Sequence, residues 1–170
     1  KLTGNNKINL LSTDISGEFE RLDITDVKNV KDVVQKFDPD YLINLAGAKH
    51  APEGEVDTWK TFSINTIGTK NLLENISSKT KLLLTSTCKS ANPEIVYGAS
   101  KLIAERMVLN EQGSVARFFN VVETSGNVFE IWNSIPESKP IDIAPTCKIL
   151  FFSLGEAVGL IIFCLNNEPG

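Results

Sequence analysis

The sequence predicts an α/β fold in which a doubly wound parallel sheet is covered by helices on both faces. Short runs of apolar residues alternate with stretches whose apolar residues recur at helical spacing, as in successive βαβ units. The runs are also nearly continuous in hydrophobicity, as in YLINLA at 41–46, which is typical of strands covered on both faces.

The N-terminal half contains three predicted strands and one predicted helix. The strands are residues 7–13 (KINLLST), 19–24 (FERLDI) and 41–46 (YLINLA). Thr25 is predicted to cap a helix at 26–37, whose apolar face consists of Val27, Val30, Val33 and Val34. Asp38-Pro39-Asp40 is predicted to form the turn before the third strand.

The C-terminal half continues the alternation. Its predicted elements are a helix around 58–76, a strand at 81–86, a helix at 96–109 and a strand at 114–121. No repeat, low-complexity tract or linker-like stretch divides the chain, so residues 1–170 are predicted to form one domain.

Composition excludes several classes of function. The chain has 170 residues and a net charge of -4, which argues against nucleic acid as the main partner. Three cysteines and one histidine predict neither a disulfide framework nor a metal site. The apolar stretch 154–165 is interrupted and too short for roughly 30 Å of hydrocarbon, and no signal sequence opens the chain. These features predict a cytoplasmic protein that does not bind membranes.

Tyr97 and Lys101 form the most informative pair. They are four residues apart, so on a helix they lie on one face, one turn from each other. An ammonium beside a phenol favours the phenolate and would lower the pKa of Tyr97, suiting it to proton transfer. Ser86 and Thr87, at the end of the preceding strand, could hydrogen-bond the same reacting oxygen. The alternative is an ordinary pair on a surface helix.

Small and polar residues stand at the predicted carboxyl ends of the strands, where ligands bind on such sheets. They are Asp14, Asp23, the pair Ala46 and Gly47, the pair Ser86 and Thr87, and Asn120. We therefore expect a cofactor at this edge.

The segment STCKSANPEIVYGASK at 86–101 resembles the STDKxxNPxxxYGxSK segment of nucleotide-sugar 4,6-dehydratases, such as the UDP-N-acetylglucosamine enzymes. These belong to the extended short-chain dehydrogenase/reductase superfamily, whose fold is Rossmann-like. The resemblance extends to AGAKHAP, NTIGTKNLL, ARFFNVVETSGNV and SLGEAV, and so covers most of 20–165. LDITD and PDYLIN also resemble dTDP-4-keto-sugar reductases of the same superfamily.

This resemblance implies that NAD or NADP oxidises C4 of a nucleotide-linked sugar. Tyr97 would be the base, Lys101 would hold the cofactor ribose and tune Tyr97, and Thr87 would orient the sugar hydroxyl. The implied catalytic set is Ser86, Thr87, Cys88, Lys89, Tyr97 and Lys101; the cofactor set is Asp14, Asp23, Ile24, Ala46, Gly47 and Lys101; the substrate set is Lys49, His50, Asn65 and Asn120. The alternatives are a turn aspartate at Asp14, loop-satisfying amides at Asn65 and Asn120, and a solvated loop at Lys49 and His50.

Three departures from the dehydratase pattern bear on the second reaction step. Cys88 replaces the aspartic acid that helps to expel water, and a thiol is a poorer proton donor; the alternative is that Cys88 is a buried small apolar residue. Ile149 stands at an arginine position, where a bidentate phosphate contact would be lost, and Glu123 stands at a glycine position.

A fourth departure concerns the cofactor phosphates. No glycine-rich strand-turn-helix is present, although that unit normally carries the pyrophosphate. We therefore expect a fragment or a divergent relative, acting as a dehydratase or epimerase on a nucleotide sugar. The alternatives are an NADPH-dependent 4-keto-sugar reductase and a non-catalytic sugar-binding relative. Homo-oligomers are expected from the superfamily.

Overall fold

A computed structural model describes residues 8–125, 127–141, 146 and 148–167 of the chain. Its strands are β1 (Thr13–Asp14), β2 (Glu20–Arg21), β3 (Tyr41–Asn44), β4 (Lys81–Thr87), β5 (Ser114–Phe118), β6 (Asn120–Val121) and β7 (Phe151–Phe152). Its helices are α1 (Val27–Phe37), α2 (Ala51–Val56), α3 (Thr58–Phe62), α4 (Gly68–Asn75), α5 (Val96–Asn110), α6 (Val128–Asn133) and α7 (Leu154–Asn166). The strands pair in parallel as β1-β2, β3-β4-β5 and β6-β7, so the predicted α/β class with parallel sheets is confirmed.

Strand β4 is the centre of the largest sheet. It pairs with β3 through Tyr41↔Lys81 to Asn44↔Leu84 and with β5 through Leu83↔Ser114 to Thr87↔Phe118. Leu82, Leu83 and Leu84 are all buried, as expected for a strand covered on both faces. The observed strand extends one residue past its predicted end.

Helices pack on the sheet from both faces. Leu82 and Leu84 belong to the core cluster formed with α1, α4 and α5, whereas Leu83 does not. Successive side chains on a strand point to opposite faces, so Leu83 points away from α5. Helix α7, which the sequence analysis did not predict, contacts β4 and β5. This arrangement confirms helices on both faces of the central strands.

The N-terminal strands are much shorter than predicted. Within the predicted strand at 7–13, Lys7 lies outside the described residues, residues 8–12 form no strand, and only Thr13 enters β1. The predicted strand at 19–24 is reduced to Glu20–Arg21. Ile8, Leu10 and Phe19 are 73%, 79% and 61% exposed. An apolar run becomes a strand only where neighbouring elements cover it, and the described residues do not cover these.

Helix α1 begins at a different cap from the one predicted. The Asp26 carboxylate, not the Thr25 hydroxyl, accepts hydrogen bonds from Lys28 N and Asn29 N, as an N-cap aspartate does. Val30 and Val34 are buried as predicted, but Val27 is 53% exposed because it starts the helix at the edge of the core. Asp38 ends the helix with a φ of 44°, in agreement with the predicted turn.

Burial on both faces was a wrong prediction for β3. Leu42 and Asn44 face the core, but Tyr41, Ile43 and Leu45 are 53%, 40% and 67% exposed. Helix α7 lies over β4 and β5, and within the described residues it does not cover this face of β3. The strand also ends at Asn44, before the predicted Ala46.

The long helix predicted at 58–76 begins at Thr58 as predicted but is interrupted. Helix α2 precedes it, and Asp57 lies between α2 and α3. Residues Ser63–Ile67 form a π-helical turn before α4, a feature that often marks functional sites. The interruption places Asn65 in the interior, where it is 1% exposed.

The last strand predicted, at 114–121, is divided at Phe119. Ser114–Phe118 continues the main sheet as β5, whereas Asn120–Val121 pairs with β7. Helix α5 reaches Asn110, one residue beyond its predicted end. No helix in the described parts of the chain is both long and apolar enough to cross a membrane.

Candidate active site

The end of strand β4 and the start of helix α5 lie against each other. A Cβ placed on Gly98 would come within 2.6 Å of the Lys89 carbonyl oxygen, so only glycine permits this approach. The Ser90 hydroxyl lies 2.6 Å from the Thr87 carbonyl oxygen, and the Thr87 side chain caps the turn by accepting from Lys89 N. This packing presents Thr87 to Tyr97.

Tyr97 is half-buried at this junction. Burial raises the pKa of its phenol above the ordinary value, a hydrogen bond with the Thr87 side chain opposes that rise, and Cys88 adds to it. The net pKa is raised, so the predicted lowering by Lys101 is wrong for the cofactor-free chain. The reason is that desolvation penalises a phenolate, and Lys101 is not among the groups that perturb Tyr97.

Lys101 is 4% exposed, which is unusual for lysine. Burial lowers the pKa of its ammonium to about 8, and the Glu105 carboxylate partly opposes this effect. Among the described residues, no hydrogen bond or ion pair involves this ammonium. Its three donors are therefore available to a ligand.

Gly47 and Asn65 form the opposite side of the space beside Lys101. A Cβ on Gly47 would lie 3.7 Å from Lys101 Nζ and 3.2 Å from Asn65 Oδ1. Asn65 accepts a hydrogen bond from the Ala48 N–H at 2.8 Å and donates one to the Ala48 carbonyl oxygen at 3.1 Å. Asn65 also donates to Ser100 Oγ at 2.9 Å. The loop after β3 is thereby fastened to α5 with bare backbone facing the lysine.

Glu105 is the most deeply buried carboxylate beside the pair, at 2% exposure. Its Oε1 accepts from Ser86 Oγ at 2.5 Å and lies 2.5 Å from Ser90 Oγ, while Arg117 reaches Oε2 through Nη2 at 2.6 Å. Burial raises the pKa of Glu105, but the hydrogen bonds from Arg117, Ser86 and Ser90 outweigh it and leave the pKa below its usual value.

The structure brings together Thr87, Tyr97, Lys101, Gly47 and Asn65 of the predicted residues. Ser86 is 5% exposed and donates to Glu105, so its hydroxyl is already occupied. Cys88 is partly buried near Tyr97. Lys89 is exposed, and its backbone, not its ammonium, supplies its contacts with Thr87 and Gly98.

The other residues predicted to bind the cofactor are engaged locally. Asp14 accepts from Ser16 N at 3.1 Å, and Asp23 accepts from Thr25 N at 2.9 Å; its hydrogen bonds to Thr25 lower the pKa of Asp23. Ile24 is 6% exposed in the core. Ala46 is exposed, and its N–H donates to the Asn44 side chain.

The predicted substrate residues divide between two places. Lys49 and His50 line an open cavity of about 410 Å³ together with α2 and α3, and Lys49 Nζ donates to the Ser125 carbonyl at 2.6 Å. Asn120 lies in β6 and donates to the Leu150 carbonyl at 3.3 Å. Ile149, at the arginine position, is 43% exposed.

Sequence reasoning missed Glu105, Arg117 and Ser100. Glu105 stands one turn after Lys101 on the buried face of α5, next to Ala104 and three residues before Val108, both of which are buried. A carboxylate in such a place is rarely buried unless it is paired, and this signal could have identified it. Nothing in the sequence indicated that its partner would be Arg117.

The chain is similar to a family described as "Polysaccharide biosynthesis protein", whose model matches residues 6–170. It is 29% identical, over 97% of its length, to a UDP-N-acetylglucosamine 4,6-dehydratase (inverting) from Campylobacter jejuni, 57% of which is covered. The chain spans from about a third to somewhat over half of the length of such curated relatives.

Solved structures share the fold. The Pen protein of Bacillus thuringiensis superposes with a TM-score of 0.80 and 24% identity, over 88% of this chain and 50% of the other. A UDP-glucose 4-epimerase from Brucella ovis, in complex with NAD, gives a TM-score of 0.57 at 25% identity, over 62% of this chain and 39% of the other. The Rossmann-like architecture predicted from the sequence is thereby confirmed.

Proposed function

The chain belongs to the polysaccharide biosynthesis protein family, and we propose that it carries the proton-transfer part of an NAD(P)-dependent enzyme that oxidises C4 of a nucleotide-linked sugar. The similarity to a UDP-N-acetylglucosamine 4,6-dehydratase supports this substrate class. The relative solved with NAD supports the cofactor class.

One observation carries the proposal: the ammonium of the buried residue Lys101, which has no hydrogen-bond partner among the described residues, stands one helical turn from a half-buried phenol. A lysine buried in this way costs free energy unless an acceptor completes it. Gly47, at which a Cβ would lie 3.7 Å from Lys101 Nζ, leaves this side of the ammonium without a side chain, so a hydroxylated ligand such as a cofactor ribose can approach it. The residues therefore fit the nicotinamide side of NAD(P).

The roles follow from these positions. In its phenolate form, Tyr97 would take the proton of the C4 hydroxyl; Thr87, which hydrogen-bonds the phenol, orients that hydroxyl, and Lys101 would hold the ribose. The chemistry that NAD(P) would supply at this site is acceptance of the hydride from C4. Asn65 orders the loop carrying Gly47, and the cavity beside Lys49 and His50 takes part of the nucleotide sugar. We assign Asp14 and Asp23 to the adenosine side, where ligand binding must compete with their turn hydrogen bonds.

A 4-keto-sugar reductase is the second candidate, and two observations favour it. The raised pKa of Tyr97 keeps the phenol protonated at neutral pH, which is the form that donates a proton to a carbonyl. Cys88, partly buried beside Tyr97, stands where a dehydratase needs an acid, and reduction requires none there. We likewise propose that the protein forms homo-oligomers and that it catalyses a complete reaction cycle.

The test is turnover by the purified protein with NAD and UDP-N-acetylglucosamine, and with NADPH and a 4-keto sugar. A 4-keto-6-deoxy product supports the dehydratase and NADPH consumption supports the reductase. Tyr97→Phe should reduce kcat by about 100-fold or more. Tyr41→Phe is the matched control, because Tyr41 is the other tyrosine and is 53% exposed.

Two outcomes contradict parts of the proposal. If the protein turns over neither substrate pair but binds the sugar tightly, it is a non-catalytic binding protein. Equal activity of the two tyrosine variants excludes Tyr97 as the proton carrier.

If the dehydratase framework is intact, Cys88→Asp should increase water elimination, and an unchanged rate would reject the argument about the acid position.

A further inference from the structure

We infer that Glu105 is a positioning residue that keeps the Lys101 ammonium charged while leaving its hydrogen-bond donors free, and that Arg117 and two serines hold it in that role. The inference deepens the proposed function and rests on it for its biological meaning. The charges and hydrogen bonds involved all belong to this chain.

The spacing along α5 supports the first part. Lys101 and Glu105 are four residues apart, and they are 4% and 2% exposed. A charge in such surroundings interacts with its neighbour much more strongly than at the surface. Glu105 is also the one charged group that perturbs Lys101, so the field favouring the ammonium comes from this carboxylate.

The hydrogen bonds of Glu105 support the second part. Lysine and glutamate at this spacing can pair across one helical turn, yet among the described residues Glu105 forms its ion pair with Arg117 and not with Lys101. Ser86 donates to Oε1 at 2.5 Å, and Arg117 donates to both oxygens, at 3.0 Å through Nε and 2.6 Å through Nη2. These donors hold the carboxylate near the lysine without letting it take the ammonium.

The sheet explains why the donors come together. Ser86 and Arg117 are directly paired neighbours on β4 and β5, so both side chains can reach Glu105 from beneath α5. Ser90 approaches from the following turn, and its oxygen also lies 2.6 Å from the Thr87 carbonyl. The network thus links the strand end carrying Thr87 to the helix carrying Tyr97 and Lys101.

The groups around Lys101 leave few other sources of a field. Helix α5 contributes Glu105 and, one turn away, Tyr97, and β5 contributes Arg117 through its contact with Glu105. Cys88, in the turn after β4, lies near Tyr97. The loop after β3 and the π turn contribute uncharged Gly47 and Asn65. Arg117 is the remaining cation near the carboxylate, and its side chain is 42% exposed.

This arrangement predicts shifts of opposite sign. Glu105→Gln removes the negative charge, so the pKa of Lys101 should fall below 8. Arg117→Gln removes the cation that offsets Glu105, so the pKa of Lys101 should rise, while Ser86, Ser90 and Lys101 keep the carboxylate ionised. Arg117→Lys should restore the wild-type value. If the network were purely structural, the Glu105 and Arg117 substitutions would both shift the pKa of Lys101 in the same direction, or neither would shift it.

The measurement is the titration of the Lys101 Cε resonance by NMR, in full-length chain containing ¹³Cε-labelled lysine and neither cofactor nor sugar. Lys101→Met identifies the resonance, and circular dichroism confirms folding. Glu111→Gln and Arg106→Gln are matched controls, because both residues are exposed on or just after α5; they should leave the pKa unchanged. If Glu105→Gln does not fold, the two Arg117 variants decide.

Opposite shifts support the inference, whereas a fall or no change in Arg117→Gln overturns it. Because the readout needs no turnover, an inactive wild-type chain refutes the proposed function and leaves this result valid. Conversely, if Tyr97→Phe abolishes turnover but the Glu105 and Arg117 variants leave the pKa of Lys101 unchanged, only this inference is refuted.

Discussion

Helix α5 with strands β4 and β5, here called the α5 region, differs sharply from the strand pair β1–β2. The α5 region buries Leu84, Val108 and Glu105 almost completely and holds the Glu105 carboxylate through Ser86, Ser90 and Arg117. In the strand pair, Thr13, Asp14, Glu20 and Arg21 are all exposed. The proposed proton transfer thus lies in the well-buried region, and the proposed adenosine contacts lie in or next to the exposed strand pair.

The contrast teaches that apolar pattern and burial are separate properties. Residues 7–13 and 81–86 have similar hydrophobicity in the sequence, but only the second run lies between two strands and under two helices. Hydrophobic stabilisation is proportional to the surface removed from water. It therefore accrues to β4 and hardly at all to residues 8–12.

The largest expected effect tests this difference in stability. Leu84→Ala should lower the free energy of unfolding by about 3 kcal/mol, because it removes a fully buried side chain and leaves a cavity. Leu10→Ala, at a residue that is 79% exposed, should change it by less than about 0.5 kcal/mol. Urea denaturation of both variants measures the comparison, and equal losses would erase it.

A smaller effect comes from the buried charge of the α5 region. Between pH 8 and the ordinary value of 10.5, the unfolded chain holds more protons at Lys101 than the folded chain does, so this group makes the folded state more stable as pH rises. The stability of the wild type relative to Lys101→Met should therefore increase by about 2 kcal/mol from pH 7 to 9.5. Parallel denaturation curves at the two pH values test this. A constant difference would mean that Lys101 is solvated.

The smallest effect separates two aspartates of the N-terminal half. Asp26→Ala should cost about 1 kcal/mol, because the carboxylate caps α1 through two backbone N–H groups. Asp14→Ala removes only contacts with Ser16 in an exposed turn, so its effect on unfolding should be near zero. Thermal denaturation distinguishes the two. A large loss at Asp14 would show that the strand pair is better supported than its exposure indicates.

Much of the candidate site was predictable because it depends on local spacing. Tyr97 and Lys101 are four residues apart in one predicted helix, so their proximity depends only on local structure. The position of Thr87 was predictable because it comes at the end of an apolar strand. The pKa of Tyr97 was not predictable, since desolvation depends on atoms from other elements. The shortened β1 and β2, the exposed face of β3 and the π turn at Asn65 were missed for the same reason.

The sequence by itself determined the alternation of strands and helices, the placement of Tyr97 and Lys101 one turn apart, and the family resemblance carried by the segment around them. These are properties of short-range periodicity and of residue identity. The tertiary structure alone decided which apolar runs are buried and which polar groups meet. It pairs Ser86 with Arg117 across the sheet and brings both to Glu105, because hydrogen bonds between distant elements require a particular strand order and register that no local pattern encodes.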